Sequence, residues 1–278
     1  MNTTDQSIEV RSTPARALAG LAPWRSYCFL FAANLVAVAA GQPYVASLTG
    51  QALDGAYMAT VLFMNGGITL VALLLGYLAA RPLGLGTPVL DAWLYGRKAR
   101  AGSVRWIIVV APLAGLALGG LLVGLDAAFI AAAPREAARL RAGLHALPGL
   151  GASLLATLYG GIFEETQLRF FILSGLAWII AALTAAIRKR APAPSRLAFG
   201  AAVAMSAALF GVGHLAGLAA LGAATPLLVA RTIVLNAIPG VAFGLLYLKR
   251  GLETAIVAHA FADLALHVIA PAIEGRFV

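Results

Sequence analysis

Long apolar runs recur seven times along this chain, at about residues 26–40, 56–80, 106–132, 150–187, 197–221, 226–248 and 252–269. That recurrence leaves few architectures open. Inside a bilayer no water satisfies backbone N–H and C=O groups, so each crossing has to close its own hydrogen bonds, as a helix does. With 61% hydrophobic and only 11% charged residues, the chain reads as all-α: a polytopic transmembrane helical bundle of about seven spans around an intramembrane polar cavity. The net charge of +9 would point to nucleic acid in a soluble protein. Here the basic residues fall mostly in short loops, where they set topology, so no nucleic-acid partner is expected and the lipid bilayer is. The single cysteine, Cys28, excludes an intrachain disulfide and any multi-cysteine metal site.

Residues 1–25 are polar and read as a cytoplasmic N-terminal tail; residues 26–278 read as a single integral membrane domain. Ala37-Val38-Ala39 resembles a signal-peptidase site, but the topology works with this segment retained as a helix, which Gly41-Gln42-Pro43 is expected to end. Residues 87–95 carry Leu90, Trp93, Leu94 and Tyr95 and are expected to lie on the membrane surface. The small-residue spacings Gly115 to Gly119 and Gly120 to Gly124 permit close helix contact. With the N-terminus in the cytoplasm, Arg11, Arg16, Arg25, residues 81–105, 188–196 and Lys249-Arg250 fall on the cytoplasmic side. The other side keeps Arg135, Arg139, Arg141 and Arg276. Positive charge inside is the rule this satisfies.

The count depends on reading residues 150–187 as one crossing. Splitting it at Glu164 makes eight spans but puts Arg188-Lys189-Arg190 outside. One crossing of 38 residues would reach about 57 Å as a regular helix, so a kink near Gly175, a tilt or an interfacial tail is expected to absorb the excess. Within that crossing lies Phe163-Glu164-Glu165-Thr166-Gln167-Leu168-Arg169-Phe170. Each carboxylate there costs about 2.5–3.5 kcal/mol on insertion scales and so needs a reason. Glu165 and Arg169, spaced i, i+4, are expected to pair as a support. Glu164 points about 100° away without that partner and is the candidate for proton transfer.

Complementary groups stand on two later spans, His214 on one and His259 with Asp263, at i and i+4, on the other. Asn236, with Pro239 and Gly240, is expected to break a helix and line the cavity. Arg231 is expected to snorkel, and Asp126, His145 and His267 to be solvated.

Glu164-Glu165-x-x-x-Arg169, Phe210-x-x-x-His214 and His259-x-x-x-Asp263, in this order on separate hydrophobic segments, resemble the CPBP family of intramembrane endopeptidases. These are the CAAX prenyl proteases of the Ras-converting type and their bacteriocin-processing relatives. The resemblance covers about residues 150–269, a CPBP-like catalytic core. It implies that Glu164 and His214 activate water, that His259 and the residue at Asp263 stabilise the tetrahedral oxyanion, and that Glu165 and Arg169 support the site. Two departures stand out. Leu168-Arg169-Phe170 replaces a common Phe-Arg-Gly, and Asp263 replaces a common asparagine. An asparagine amide donates to an oxyanion where an ionised aspartate repels it, so Asp263 has to be protonated, orient His259 or bind a cation.

The resemblance implies hydrolysis of a peptide bond in a membrane-anchored or lipidated polypeptide reaching the cavity from the cytoplasmic side or laterally. The expected setting is a bacterial inner membrane. The reading favours glutamate chemistry without a cofactor, because no HExxH-type motif preforms a metal face. Zinc is the alternative, with Glu164, His214, His259 and Asp263 as ligand types that suit it. Competing functions are a non-catalytic bacteriocin-immunity or scaffold relative and an ion- or proton-coupled transporter, the latter disfavoured by the lack of repeat symmetry.

Overall fold

A computed structural model describes residues 24–189 and 195–277. The expected tail lies outside these, apart from Trp24 and Arg25, which open the first helix. Seven helices are long and apolar enough to cross a membrane: α1 (Trp24–Thr49), α2 (Gly55–Leu83), α4 (Ala101–Ala132), α6 (Leu150–Ile187), α7 (Arg196–Ala220), α8 (Pro226–Arg250) and α9 (Leu252–Ile273). Two short helices lie in loops, α3 (Pro88–Leu94), where a surface piece was expected, and α5 (Pro134–Ala142). The described residues contain no strand.

Contacts between helix ends sort the loops into two faces. On the basic face, α3 joins the starts of α1 and α9. Arg25 donates to the Leu94 carbonyl, Ser26 to Asp91, and the Val89 and Leu90 amides donate to Glu253. Arg250 stacks over Trp106 on the same face. On the opposite face, the His145 and Ala146 amides donate to the Leu48 and Ser47 carbonyls at the end of α1. Thr225 there donates to Glu136 of α5. Seven alternating crossings follow from this sorting.

Two helix ends differ from the sequence reading. α1 runs through Pro43 and α8 through Pro239 without a break. In hydrocarbon a helix end frees several backbone groups, whereas a proline removes one donor, so continuation costs less than a terminus. Polar side chains also close back onto the backbone nearby: Gln42 donates to the Val38 carbonyl and Asn236 to that of Thr232.

α4 and α9 pack with their backbones close together. A Cβ added at Gly115 would overlap the Ala258 carbonyl oxygen, and one at Gly119 would lie 2.6 Å from the Ala262 oxygen. Gly120 and Gly124 face nothing within 4 Å, so only the first small-residue spacing is a contact. Small residues drive association in membranes because they admit van der Waals contact along the whole seam.

In α6 the departure from regular helix is not at Gly175, which lies in α-helical geometry. It is in two wide-turn, π-helical stretches, Tyr159–Glu164 and Thr166–Leu173. Wider turns hold more residues per unit length and so shorten the 38-residue crossing. Such turns are frequent at functional sites, and these two bracket Glu165. A core of Leu73, Phe170, Leu173, Phe243, Tyr247 and Leu252, with their neighbours, fills the bundle toward the basic face.

Candidate active site

The wide turns of α6 swing Glu164 and Glu165 toward α9, and both carboxylates meet His259. Glu165 Oε1 accepts from His259 Nδ1 at 2.7 Å, while Glu164 Oε2 lies 3.7 Å from Nε2. One imidazole is thus held between two adjacent acids, a fixed one and a freer one.

Glu165 is the fixed acid. It and Arg169 are completely buried, with Arg169 Nη1 at 3.0 Å from Glu165 Oε1. Arg169 also donates to the Gly240 carbonyl on α8 at 3.3 Å, and its guanidinium lies over the rings of Phe210 and Phe243, 4.7 and 5.5 Å from their centroids. A dry cation is tolerable only when so enclosed by an anion, a carbonyl and π faces. Phe243 in turn stacks on His259 at 4.5 Å, and Phe210 meets both His214 and His259 edge to face. The pairing of Glu165 with Arg169 is therefore what the i, i+4 spacing indicated, and it extends to three further helices.

Glu164 sits at the wall of a cavity of about 440 Å³, a size that suits a ligand or a segment of polypeptide. Across the cavity, His214 Nδ1 is 2.8 Å from the Phe210 carbonyl oxygen. A carbonyl oxygen only accepts, so Nδ1 carries the hydrogen and Nε2 presents its lone pair. Nε2 lies 3.9 Å from Glu164 Oε1, too far for a direct hydrogen bond and suited to one water bonded to both.

Asp263 completes the group. Its Oδ1 is 3.6 Å from His259 Nε2 and 4.0 Å from His267 Nε2. Gly160 makes this approach feasible, since a Cβ there would overlap Asp263 Oδ2 and lie 3.1 Å from His259 Nε2. The structure therefore brings together Glu164, Glu165, Arg169, His214, His259 and Asp263 from α6, α7 and α9.

As a zinc donor set the four cavity-facing residues do not fit in this arrangement. Tetrahedral zinc needs its donors about 2.0–2.2 Å from one point. Among the described residues no three His, Cys, Asp or Glu side chains converge in that way.

Other polar residues differ from the sequence reading. Asp126 and Arg231 are not separate surface groups: Arg231 donates to Asp126 Oδ1 through Nε at 2.7 Å and also through Nη2, and both line the cavity. His267 also lines it, bonded to the Tyr44 hydroxyl at 3.0 Å with about a third of its side chain exposed. No local signal marks these pairs, whose members stand 105 and 223 residues apart. Asn236 lines the cavity as expected, but from an unbroken helix. His145 is exposed, as expected.

Residues 146–265 match the family described as Type II CAAX prenyl endopeptidase Rce1-like. The match bears out the resemblance drawn from the motifs, and it contains all six residues of the cluster. The family suggests CAAX-type intramembrane protease activity for this integral membrane protein. No curated protein and no solved structure matches the chain.

Proposed function

We propose that this chain, with its Rce1-like core, is an intramembrane endopeptidase that cleaves a membrane-anchored or lipidated polypeptide by glutamate-activated water. A bacterial inner membrane with the N-terminus in the cytoplasm is the setting proposed with it. The observation that carries the reading is Glu164 facing two imidazoles across a cavity, at 3.9 and 3.7 Å, with no Lys or Arg among the described residues paired to it.

A water held between Glu164 and His214 Nε2 attacks the scissile carbonyl carbon, and Glu164 takes its proton as the C–O bond forms. Doubly protonated, His259 keeps Nδ1–H on Glu165 and donates through Nε2 to the tetrahedral oxyanion. Collapse of that intermediate breaks the C–N bond, and Glu164 passes the proton to the leaving amine. Glu165 and Arg169 are positioning residues, fixing the height and tilt of the His259 ring. Asp263 acts as a protonated acid, donating beside His259 where an asparagine amide would do the same.

The test is cleavage of a fluorogenic lipidated peptide by detergent-purified protein. Glu164→Gln should lower the rate by about 10²–10⁴-fold, the usual share of a general base. A chelator should leave the parent rate unchanged. Equal rates for the parent and Glu164→Gln would sink the assignment of the base. Loss on chelation that zinc restores would replace the glutamate mechanism with a metal one.

A further inference from the structure

We propose that Tyr44 and His267 are positioning residues for Asp263, holding its neutral carboxyl so that one oxygen accepts and the other is left to donate into the cavity. This rests on the reading of the cavity as a hydrolytic site in which Asp263 donates beside His259.

A carboxyl group in that place faces a difficulty that an amide does not. An amide keeps its hydrogens on nitrogen by covalent bonds, so its donor and its acceptor are different atoms. A neutral carboxyl has two oxygens and one proton that either can carry. To present an O–H reliably, Asp263 needs a neighbour that marks one oxygen as the acceptor. Ionised Glu164 and Glu165 only accept, so neither marks it. In the proposed reaction His259 commits one N–H to Glu165 and the other to the oxyanion.

His267 is placed for the task. His259, Asp263 and His267 follow one another at four-residue spacing on α9, and His267 Nε2 lies 4.0 Å from Asp263 Oδ1. The other ring nitrogen, Nδ1, is 3.0 Å from the Tyr44 hydroxyl on α1, and the two rings meet edge to face at 5.1 Å. Tyr44 makes no other side-chain hydrogen bond among the described residues. With its O–H donated to Nδ1, the imidazole hydrogen stands on Nε2 and faces Asp263. The remaining gap suits one bridging water, or a slight closing of the kind that resting sites undergo when substrate binds. Oδ1 is then the acceptor and Oδ2 carries the proton. Oδ2 is also the oxygen that lies where a Cβ at residue 160 would be, so Gly160 leaves room for it. Tyr44, Gly160, Asp263 and His267 all line the cavity. Tyr44 and His267 both stand outside residues 146–265, so this support comes from parts of the chain beyond the family match.

Two readouts on the full chain in detergent test the assignment. In infrared difference spectra, a protonated-carboxyl C=O band that disappears in Asp263→Asn belongs to Asp263. It should move to higher frequency in His267→Leu, which removes the donor. It should stay in place in His267→Gln, whose amide reaches a similar position, and move part of the way in Tyr44→Phe. In cleavage of the lipidated peptide, His267→Leu should lower kcat by about tenfold with KM unchanged, less than the roughly 10²–10³-fold cost of losing an oxyanion donor itself. His267→Gln should recover most of that loss. In an Asp263→Asn background, His267→Leu should lose most of its effect, because the amide needs no such marking. Absence of the band, a band unmoved in His267→Leu, or an equal loss of kcat in both backgrounds would overturn the proposal. The infrared arm needs no catalysis. A shifted band in a protein that cleaves nothing would remove the protease reading and leave the Tyr44–His267–Asp263 contact standing.

Discussion

At the scale of single residues, the site depends on what is enclosed and what is left open. Arg169 pairs with Glu165, donates to the Gly240 carbonyl and lies over two aromatic faces at once, a set that a lysine ammonium cannot reproduce. Arg169→Lys should therefore lower thermal stability in detergent and slow cleavage. Arg169→Met, which leaves Glu165 charged and alone, should cost about 3–5 kcal/mol, part of which Glu165→Gln in the same chain should restore. Asp263 gives a sharper comparison. If it donates as a neutral acid, Asp263→Asn keeps most of the cleavage rate while Asp263→Ala loses it; an equal loss in both would show that the carboxylate itself is needed. The motif residues were legible because each spacing is local: four residues for Glu165 with Arg169, and four for His259 with Asp263. The pairing of Asp126 with Arg231 was not, because neither residue has a neighbour in sequence that reveals its partner. Each alone reads as a group at a membrane surface.

At the scale of helices, two devices set the geometry. The first is the glycine seam of α4 against α9. Gly115→Ala pushes a methyl group into the Ala258 carbonyl, one residue from His259, so it should cost about 1–3 kcal/mol by overpacking and reduce cleavage as well. Gly120→Ala, which meets nothing, should change neither, as melting curves and rates on the same preparations will show. The second is the joint of α3 with α1. Asp91 accepts there from Ser26 and from Thr87, and burial holds its carboxyl above the ordinary value of 3.8. A folded-state value above the unfolded one means that this group supports the fold most at pH below 3.8 and less as pH rises through the raised value. Asp91→Asn should flatten that part of the melting-temperature profile above pH 3.8. The positions of the spans were readable from hydropathy, because bilayer thickness dictates helix length. The continuations through Pro43 and Pro239 and the wide turns of α6 were not. They depend on the cost of freeing backbone groups in lipid and on packing against α9, neither of which a residue pattern encodes.

At the scale of the whole molecule, charge in the loops and shape in the bundle combine. The count of basic residues supplied the seven alternating crossings, which helix-end contacts then matched. The cavity required the third dimension, since its wall draws on six separate helices. The Glu165–Arg169 pair has one more consequence, for the making of the protein. Acid and base sit one turn apart on α6, so during synthesis they can leave the insertion machinery as a neutral unit, before α7, α8 and α9 have been translated. His259 arrives only with the final span. A nascent chain can thus be lodged in the bilayer with this one pair already balanced, while the group of Glu164, His214, His259 and Asp263 is still incomplete.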